Sequence, residues 1–460
     1  MESGAHPHRP GSGRAGAGSV EAPVHEPAWV RHATWWHVYP LGFTGAPAVN
    51  TAPQPIHRLR QVVDWLDYAV RLGVSGIALG PVFDSETHGY DTIDHFRIDP
   101  RLGDDGDFDL LVEAARVRGL RQLLDGVVNH VGRAFPAFQR VLRQGPPAAE
   151  ASWFRPTTPA AGTVEFEVFE GHPGLVALNH EEPAVVEYVT RVMCHWLDRG
   201  ADGWRLDAAY AVSPRFWATV LRRVREQHPE VYAVGEVIHG DYGTFVRQSR
   251  LDSVTQYEVW KAIWSAVNDR NFFELAWALD RHNGYLAQFV PLTFVGNHDV
   301  TRIASRLTDE RHLAHALVVL FTIGGTPNVY YGDEQAFRGI KENRAGGDDA
   351  VRPPFPATSE GLAPFGWSTY RLHQDLIGLR RRHAWLHRAE TRVLHLSNTR
   401  LVYEVVDDPH RIVVALNLGD GPADHPVPGG GQLLAGNGRL RPTSNGAQLT
   451  VPPHGWAVTG

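Results

Sequence analysis

PAVVEYVTRVMCHWLDRGADGWRLDAAY, residues 183–210, reads as a helix, then a strand, then a loop. Pro183 suits the first helical turn, where its missing N–H has no partner to lose. Val185, Val186, Val189, Met193, Trp196 and Leu197 then recur on one helical face. Gly200 ends the helix. Gly203–Leu206 is a short apolar run that stops on Asp207, a polar residue placed to face a cleft.

Units of this kind recur from residue 35 to about 385. Apolar runs predict strands at Trp35–Leu41, Val74–Leu79, Leu120–Val128, Gly203–Asp207, Val231–Glu236, Ser253–Gln256, Leu292–Gly296 and Asn328–Tyr331. Between them lie amphipathic stretches, such as Leu59, Val62, Val63, Leu66 and Val70 before Gly73, Phe108–Arg118 before Gly119, and a helix opened by Ser213–Pro214. Repeated βα units imply parallel strands, and eight of them imply an α/β fold of the (β/α)8 TIM-barrel type. A doubly wound open sheet is the weaker alternative, because no glycine-rich phosphate turn follows the first strand.

Two stretches depart from the repeat. Residues 131–180, after the third strand, are too long for a plain loop and contain short β-like pieces, so they predict an inserted lobe. From 388 to 460 apolar residues alternate between Gly, Pro and Asn turns, the pattern of a small antiparallel β domain. The expected division is therefore a disordered tail over 1–28, a barrel over 29–130 and 181–387, a lobe over 131–180 and a β domain over 388–460.

Composition narrows the function. The chain has 460 residues, 43% hydrophobic and 21% charged, with a net charge of -7. That balance predicts a packed core and argues against nucleic acid as a partner, since phosphate binding needs a basic face. No apolar run is long enough for a membrane span, and residues 1–28 carry no apolar signal-peptide core. The one cysteine, Cys194, excludes an intrachain disulfide. These features lean towards a cytoplasmic enzyme. The 25 histidines show no HExxH spacing, so a catalytic zinc is not expected.

Four segments carry the chemistry: DGVVNH at 125–130, GWRLDAAY at 203–210, GEV at 235–237 and FVGNHD at 294–299. Together they supply Asp207, Glu236 and Asp299, with Arg205, His130 and His298 beside them. In a barrel, residues at the C-terminal strand ends face the active site. Two carboxyl groups about 5–5.5 Å apart can cleave a glycosidic bond with retention, one as nucleophile and one as acid. Strand alternation puts Arg205 on the same side as Asp207, so its guanidinium is expected to hold Asp207 ionised. Partial burial of Glu236 would raise its pKa, which suits a general acid.

The order and content of these segments resemble glycoside hydrolase family 13, the α-amylase family, over about residues 35–385. The resemblance implies Asp207 as nucleophile, Glu236 as acid/base, Asp299 as the carboxylate that steadies the distorted sugar, and His130 and His298 as hydrogen-bonding partners of that sugar. It also implies a sugar platform at Tyr90, in HGY at 88–90, and a grip on a terminal glucose by Arg352, in DDAVRPPFP at 348–356. In relatives that grip short sugars this way, an aspartate three residues before the platform tyrosine partners the arginine; here that position is Thr87. Tyr210 and Ala211 replace a Lys-His pair of liquefying amylases. Asn129 matches a calcium ligand of amylases, but Ala177 stands where aspartate is common. No cofactor and no tightly held calcium are therefore expected. Ala208, small and next to the nucleophile, leans towards α-1,4 linkages. Trp204 and Trp153 are the tryptophans expected nearest the cleft.

The resulting expectation is a retaining α-glycoside hydrolase acting on α-1,4-linked malto-oligosaccharides or short α-glucosides. A transglycosylase or isomerase using the same covalent intermediate is the alternative. A catalytically silent sugar-binding barrel is disfavoured, because all three carboxylates are present. The oligomeric state is not legible.

Overall fold

The computed structural model describes residues 26–460 apart from 52–53, 158–164, 345, 429–430 and 445. Eight parallel strands form the central sheet: β1 (Trp35–Val38), β2 (Gly76–Leu79), β3 (Arg121–Gly126), β4 (Gly203–Leu206), β5 (Tyr232–Gly235), β6 (Ser253–Val254), β7 (Leu292–Phe294) and β8 (Thr326–Tyr330). Neighbours pair in chain order from β1 to β6, and β8 pairs with both β7 and β1. A parallel bridge from Thr255 to Leu292, with Gln256 N–H donating to the Leu292 carbonyl at 2.9 Å, joins β6 to β7 and closes the barrel. The TIM-barrel reading therefore holds, and the open sheet is excluded.

Alternation sorts the strand side chains into two regions. Trp35, Ala78, Leu123, Tyr232, Val234 and Leu292 meet in one apolar cluster, with Trp35 stacked on Tyr232 at 6.4 Å. Their neighbours Trp36 and Trp204 belong to the main cluster shared with the helices. Farther along the strands His37, Asp125 and Arg205 join Leu79 and Phe294 around a small space. The interior thus passes from a wholly apolar layer to one that admits charged side chains towards the C-terminal strand ends.

Several boundaries differ from the sequence reading. The first strand stops at Val38, because Pro40 opens a helical turn, Pro40–Phe43. The helix expected at Phe108 starts at Asp105, where Asp104 and Asp107 form a reciprocal capping box. Most of the stretch expected to be a disordered tail lies outside the described residues. Its last residues, 26–28, are placed: Glu26 is bound by His387 at 2.7 Å and Arg388 at 2.9 Å, and Ala28 begins a 3-10 turn, Ala28–His32.

After β3 the chain forms a lobe from a helix, Pro136–Gln144, and two small ribbons, His130–Gly132 with Leu175–Ala177 and Pro156–Thr157 with Glu165–Phe166. The C-terminal region is antiparallel. One sheet runs β9 (Glu390–Leu396), β10 (Arg400–Asp407), β11 (His410–Asn417), β16 (Trp456–Thr459), β13 (Leu433–Gly436). The other runs β12 (Ala423–Pro428), β15 (Gly446–Val451), β14 (Arg439–Thr443). The first sheet docks on the barrel helices through Thr322 and Tyr403 hydroxyls at 2.7 Å and through His315, bonded to the Asn417 and Gly455 carbonyls at 3.2 and 3.0 Å. Among the described residues no helix is long and apolar enough to cross a membrane.

Candidate active site

All eight residues singled out in the sequence converge at the C-terminal end of the barrel. Tyr90, His130, Asp207, Glu236, Asp299 and Arg352 line one cleft of about 540 Å³. Arg205 and His298 line the small adjoining space, which shares Tyr257 with the cleft.

The barrel explains the convergence. Adjacent β4 and β5 pair in register, Leu206 beside Gly235, so Asp207 and Glu236 leave neighbouring strands at the same height. Arg205 binds both: Nη1 donates to Asp207 Oδ1 at 2.7 Å, and Nη2 lies 2.8 Å from Glu236 Oε1. It also grips Asp125 of β3 at 2.8 and 3.0 Å. Ala208 takes the left-handed conformation, φ 44°, and turns its N–H onto Glu236 Oε2 at 3.1 Å. A small side chain limits the strain of that turn.

The expected charge distribution needs correction. Arg205 does not serve Asp207 alone; one cation is shared by three buried carboxylates. Burial raises the pKa of Asp125, Asp207 and Glu236, and Arg205 only partly offsets it. Like charges in a dry site disfavour one another, so this cluster retains protons at pH values where ordinary carboxyls are ionised. Asp299 is the opposite case. Burial would raise it, but His298, Arg352 and Lys341 hold it well below the usual carboxylate range.

The two histidines are anchored by protein groups around the cleft. His130 uses Nε2 on the Tyr90 carbonyl at 2.9 Å and Nδ1 on the Asn129 amide at 3.1 Å, so neither nitrogen is free for a sugar. Burial lowers it to about 4. Its ring stacks on Phe169 of the lobe at 4.8 Å. His298 is sandwiched between Tyr39 and Tyr90, with ring centroids at 6.0 and 5.2 Å, and its Nε2 lies 2.9 Å from Asp299 Oδ2. Both histidines fix the residues that face the cleft. Tyr90 is held through its hydroxyl by Asp125 at 3.1 Å and by His298.

Arg352 donates to Asp299 Oδ1 at 2.8 Å and to the His298 carbonyl at 3.0 Å. Its second carboxylate is Asp348, at 3.1 Å. Thr87, in place of the aspartate, bonds Asp91 instead, through N–H at 3.0 Å and through its hydroxyl at 2.5 Å. The arginine thus has a carboxylate partner from its own loop.

Neither Trp204 nor Trp153 reaches the cleft. Trp204 is fully buried beside Phe83, and Trp153 packs on Tyr188. The tryptophan of the cleft is Trp260. Residues missed in the sequence include Asp125, Tyr257 and Asn297. Tyr257 donates to Glu236 Oε1 at 3.1 Å and accepts from Asn297 Nδ2 at 3.0 Å, while Asn297 Oδ1 accepts the Asp299 N–H at 2.8 Å. Across the cleft, Tyr210 donates to Glu170 of the lobe at 2.7 Å. At the amylase calcium position, Asn129 turns its amide to His130, and Ala177, paired with His130, offers no side-chain oxygen. These residues do not fit a calcium site.

The family model for the α-amylase catalytic domain matches residues 38–369. The chain belongs to the α-amylase family. It is an O-glycoside hydrolase of that family, as the residue pattern led us to expect. A cyclomaltodextrinase of a Bacillus species is 31% identical over 424 residues, covering 85% of this chain and 73% of the relative. Neopullulanase 2 of Thermoactinomyces vulgaris is 31% identical over 428 residues, covering 86% and 71%. Among solved structures, the native debranching enzyme of Nostoc punctiforme superposes with a TM-score of 0.82 at 25% identity, covering 95% of this chain and 100% of that one.

Proposed function

We propose that this α-amylase-family enzyme hydrolyses α-1,4-linked malto-oligosaccharides or short α-glucosides with retention of configuration. Asp207 is the nucleophile, Glu236 the acid/base, and Asp299 the anion that steadies the sugar ring. The observation that carries this reading is the single Arg205 guanidinium spanning Asp207 and Glu236 at the ends of adjacent strands.

The chemistry follows from the charge balance. The carboxylate cluster around Arg205 keeps a proton, and Glu236, which also accepts from Tyr257 and the Ala208 N–H, is placed to pass it to the leaving oxygen. Asp207, held by Arg205, attacks the anomeric carbon, giving a covalent glycosyl-enzyme and a free alcohol. Water activated by the now ionised Glu236 then releases the sugar. No step requires a metal or cofactor. Tyr90 supplies the apolar platform, with His130 and His298 acting through it and through Asp299. Arg352, with Asp348, closes the donor end.

The substrate class draws on Ala208 and on relatives named cyclomaltodextrinase and maltogenic amylase. A cytoplasmic location is consistent with the single buried Cys194 and with a relative named intracellular maltogenic amylase, from Bacillus subtilis, 27% identical. The test is product analysis on maltotriose, maltose, a cyclomaltodextrin, isomaltose, sucrose and trehalose, by chromatography and anomeric NMR. Smaller sugars first released as the α-anomer are expected. First release as the β-anomer would overturn the mechanism, and longer or isomeric products would move the reading to transglycosylation.

A further inference from the structure

At the opposite end of the barrel, below the N-terminal ends of β1 and β2, lies a second cavity of about 250 Å³. Arg31, His32, Ser75, Arg380 and Arg381 line it. No carboxylate does. Among the described residues none of the three arginines forms an ion pair, on a chain whose net charge is -7.

Arg380 is the informative member. It sits on the helix Trp367–Arg382 and is 7% exposed. Its guanidinium donates only to neutral carbonyls: Phe321 at 3.2 Å, Ile323 at 2.8 Å, and Gly325. Those carbonyls end one barrel helix and lead into β8, so part of its role is to cap that turn. A guanidinium has five N–H donors; three are used. The Nε–H and one N–H of Nη2 have no acceptor among the described residues. Burial with no anion beside it lowers Arg380 to about 9. A buried cation without a counter-charge is costly, and here it borders a cavity flanked by two further arginines.

We propose that this cavity is a binding site for a small polyvalent oxyanion, of the class of inorganic phosphate or a sugar phosphate, held by Arg380 with Arg31 and Arg381. Arginine suits such a ligand because its planar fork matches the tetrahedral oxygens. Glu26, which shares a neighbouring cleft with Arg31, is already committed to His387 and Arg388. The site is independent of the catalytic reading, since it shares no residue with the cleft.

The test is thermal unfolding and isothermal titration of the full chain with inorganic phosphate, and separately with glucose 1-phosphate, against sodium chloride at equal ionic strength. The wild type should show a saturable rise in melting temperature of about 2 °C or more, as linkage gives for a ligand well above its Kd. The Arg31→Ala/Arg381→Ala double variant leaves the core intact and should bind at least tenfold more weakly. Arg380→Lys, which keeps the charge but loses the fork, should weaken binding too. Tighter binding of the sugar phosphate would identify a sugar phosphate as the ligand, and equal or weaker binding would identify phosphate itself; either supports the site. A phosphate effect no larger than that of chloride, or one unchanged in the double variant, overturns it.

Discussion

Asp207 and Glu236 share one guanidinium, so their roles separate only by what else touches them. Asp207→Asn keeps an oxygen for Arg205 to bind and removes the nucleophile. We expect turnover to fall by about 10³-fold or more while the melting temperature stays close to wild type; unchanged turnover would sink the mechanism. Tyr257→Phe probes the other carboxyl. The Tyr257 hydroxyl donates to Glu236 Oε1, and a donor to a carboxylate favours its charged form. Removing it should raise the pKa of Glu236 further. The alkaline limb of the kcat/KM profile would then move to higher pH, with a loss of about tenfold at the optimum from poorer positioning. A purely structural role for Tyr257 would lower activity equally at all pH values.

Strand β4 carries the catalytic end, and its first residue leaves no room for a side chain. A Cβ on Gly203 would sit 2.3 Å from the Tyr232 carbonyl oxygen and 3.1 Å from Leu123 Cδ1. Gly203→Ala must therefore push β4 from β5 or β3, and we expect a cost of about 1–3 kcal/mol, read from the urea midpoint. Gly284 is the contrast. It lies exposed in the helix Phe272–Leu286 with nothing within 4 Å of a built Cβ, so Gly284→Ala should stabilise by about 0.5–1 kcal/mol. Elements of this kind also mark what could be read in advance. β2 to β5 were legible as apolar runs bounded by Gly or polar residues. β6 was overextended to four residues: only Ser253–Val254 is strand, and the bridge at Thr255 that completes the barrel involves a partner 37 residues away in the chain. The same limit hid Asp125 and Tyr257, whose roles come from Arg205 and Glu236 on other strands. Trp204 could have been placed correctly. It neighbours Arg205, and alternation sends it outward whenever Arg205 points in.

For the molecule as a whole, two sets of buried groups set opposing pH dependences. Burial raises Asp252 and Glu334 to about 7 and Asp84 and Asp333 to about 6. A carboxyl raised in the folded state contributes stability that is complete below its unfolded pKa and lost as pH rises through the folded value. Burial lowers His95, His282, His315 and His373 to about 4. A histidine depressed in the folded state contributes stability that is present above its unfolded pKa of about 6.5 and lost as pH falls towards the folded one. Between about pH 4 and 6 the two sets oppose one another; Asp125, raised to about 7, adds to the first, and His130, His180 and His425, also lowered to about 4, tip the slope upward with pH. Above about pH 6.5 the histidines are neutral in both states and only the carboxyls act, so stability must decline until about pH 7 is passed. The melting temperature, scanned from pH 4.5 to 8.5 at constant ionic strength, should therefore peak near pH 6–6.5. Glu334 accepts from the Tyr68 hydroxyl at 2.9 Å and the Gly332 N–H at 2.9 Å in a fully buried site, and Glu334→Gln removes its titration. That variant should lose less stability between pH 6.5 and 7.5 than the wild type. A parallel decline in both proteins would show that Glu334 is ionised throughout, and that its donors outweigh burial.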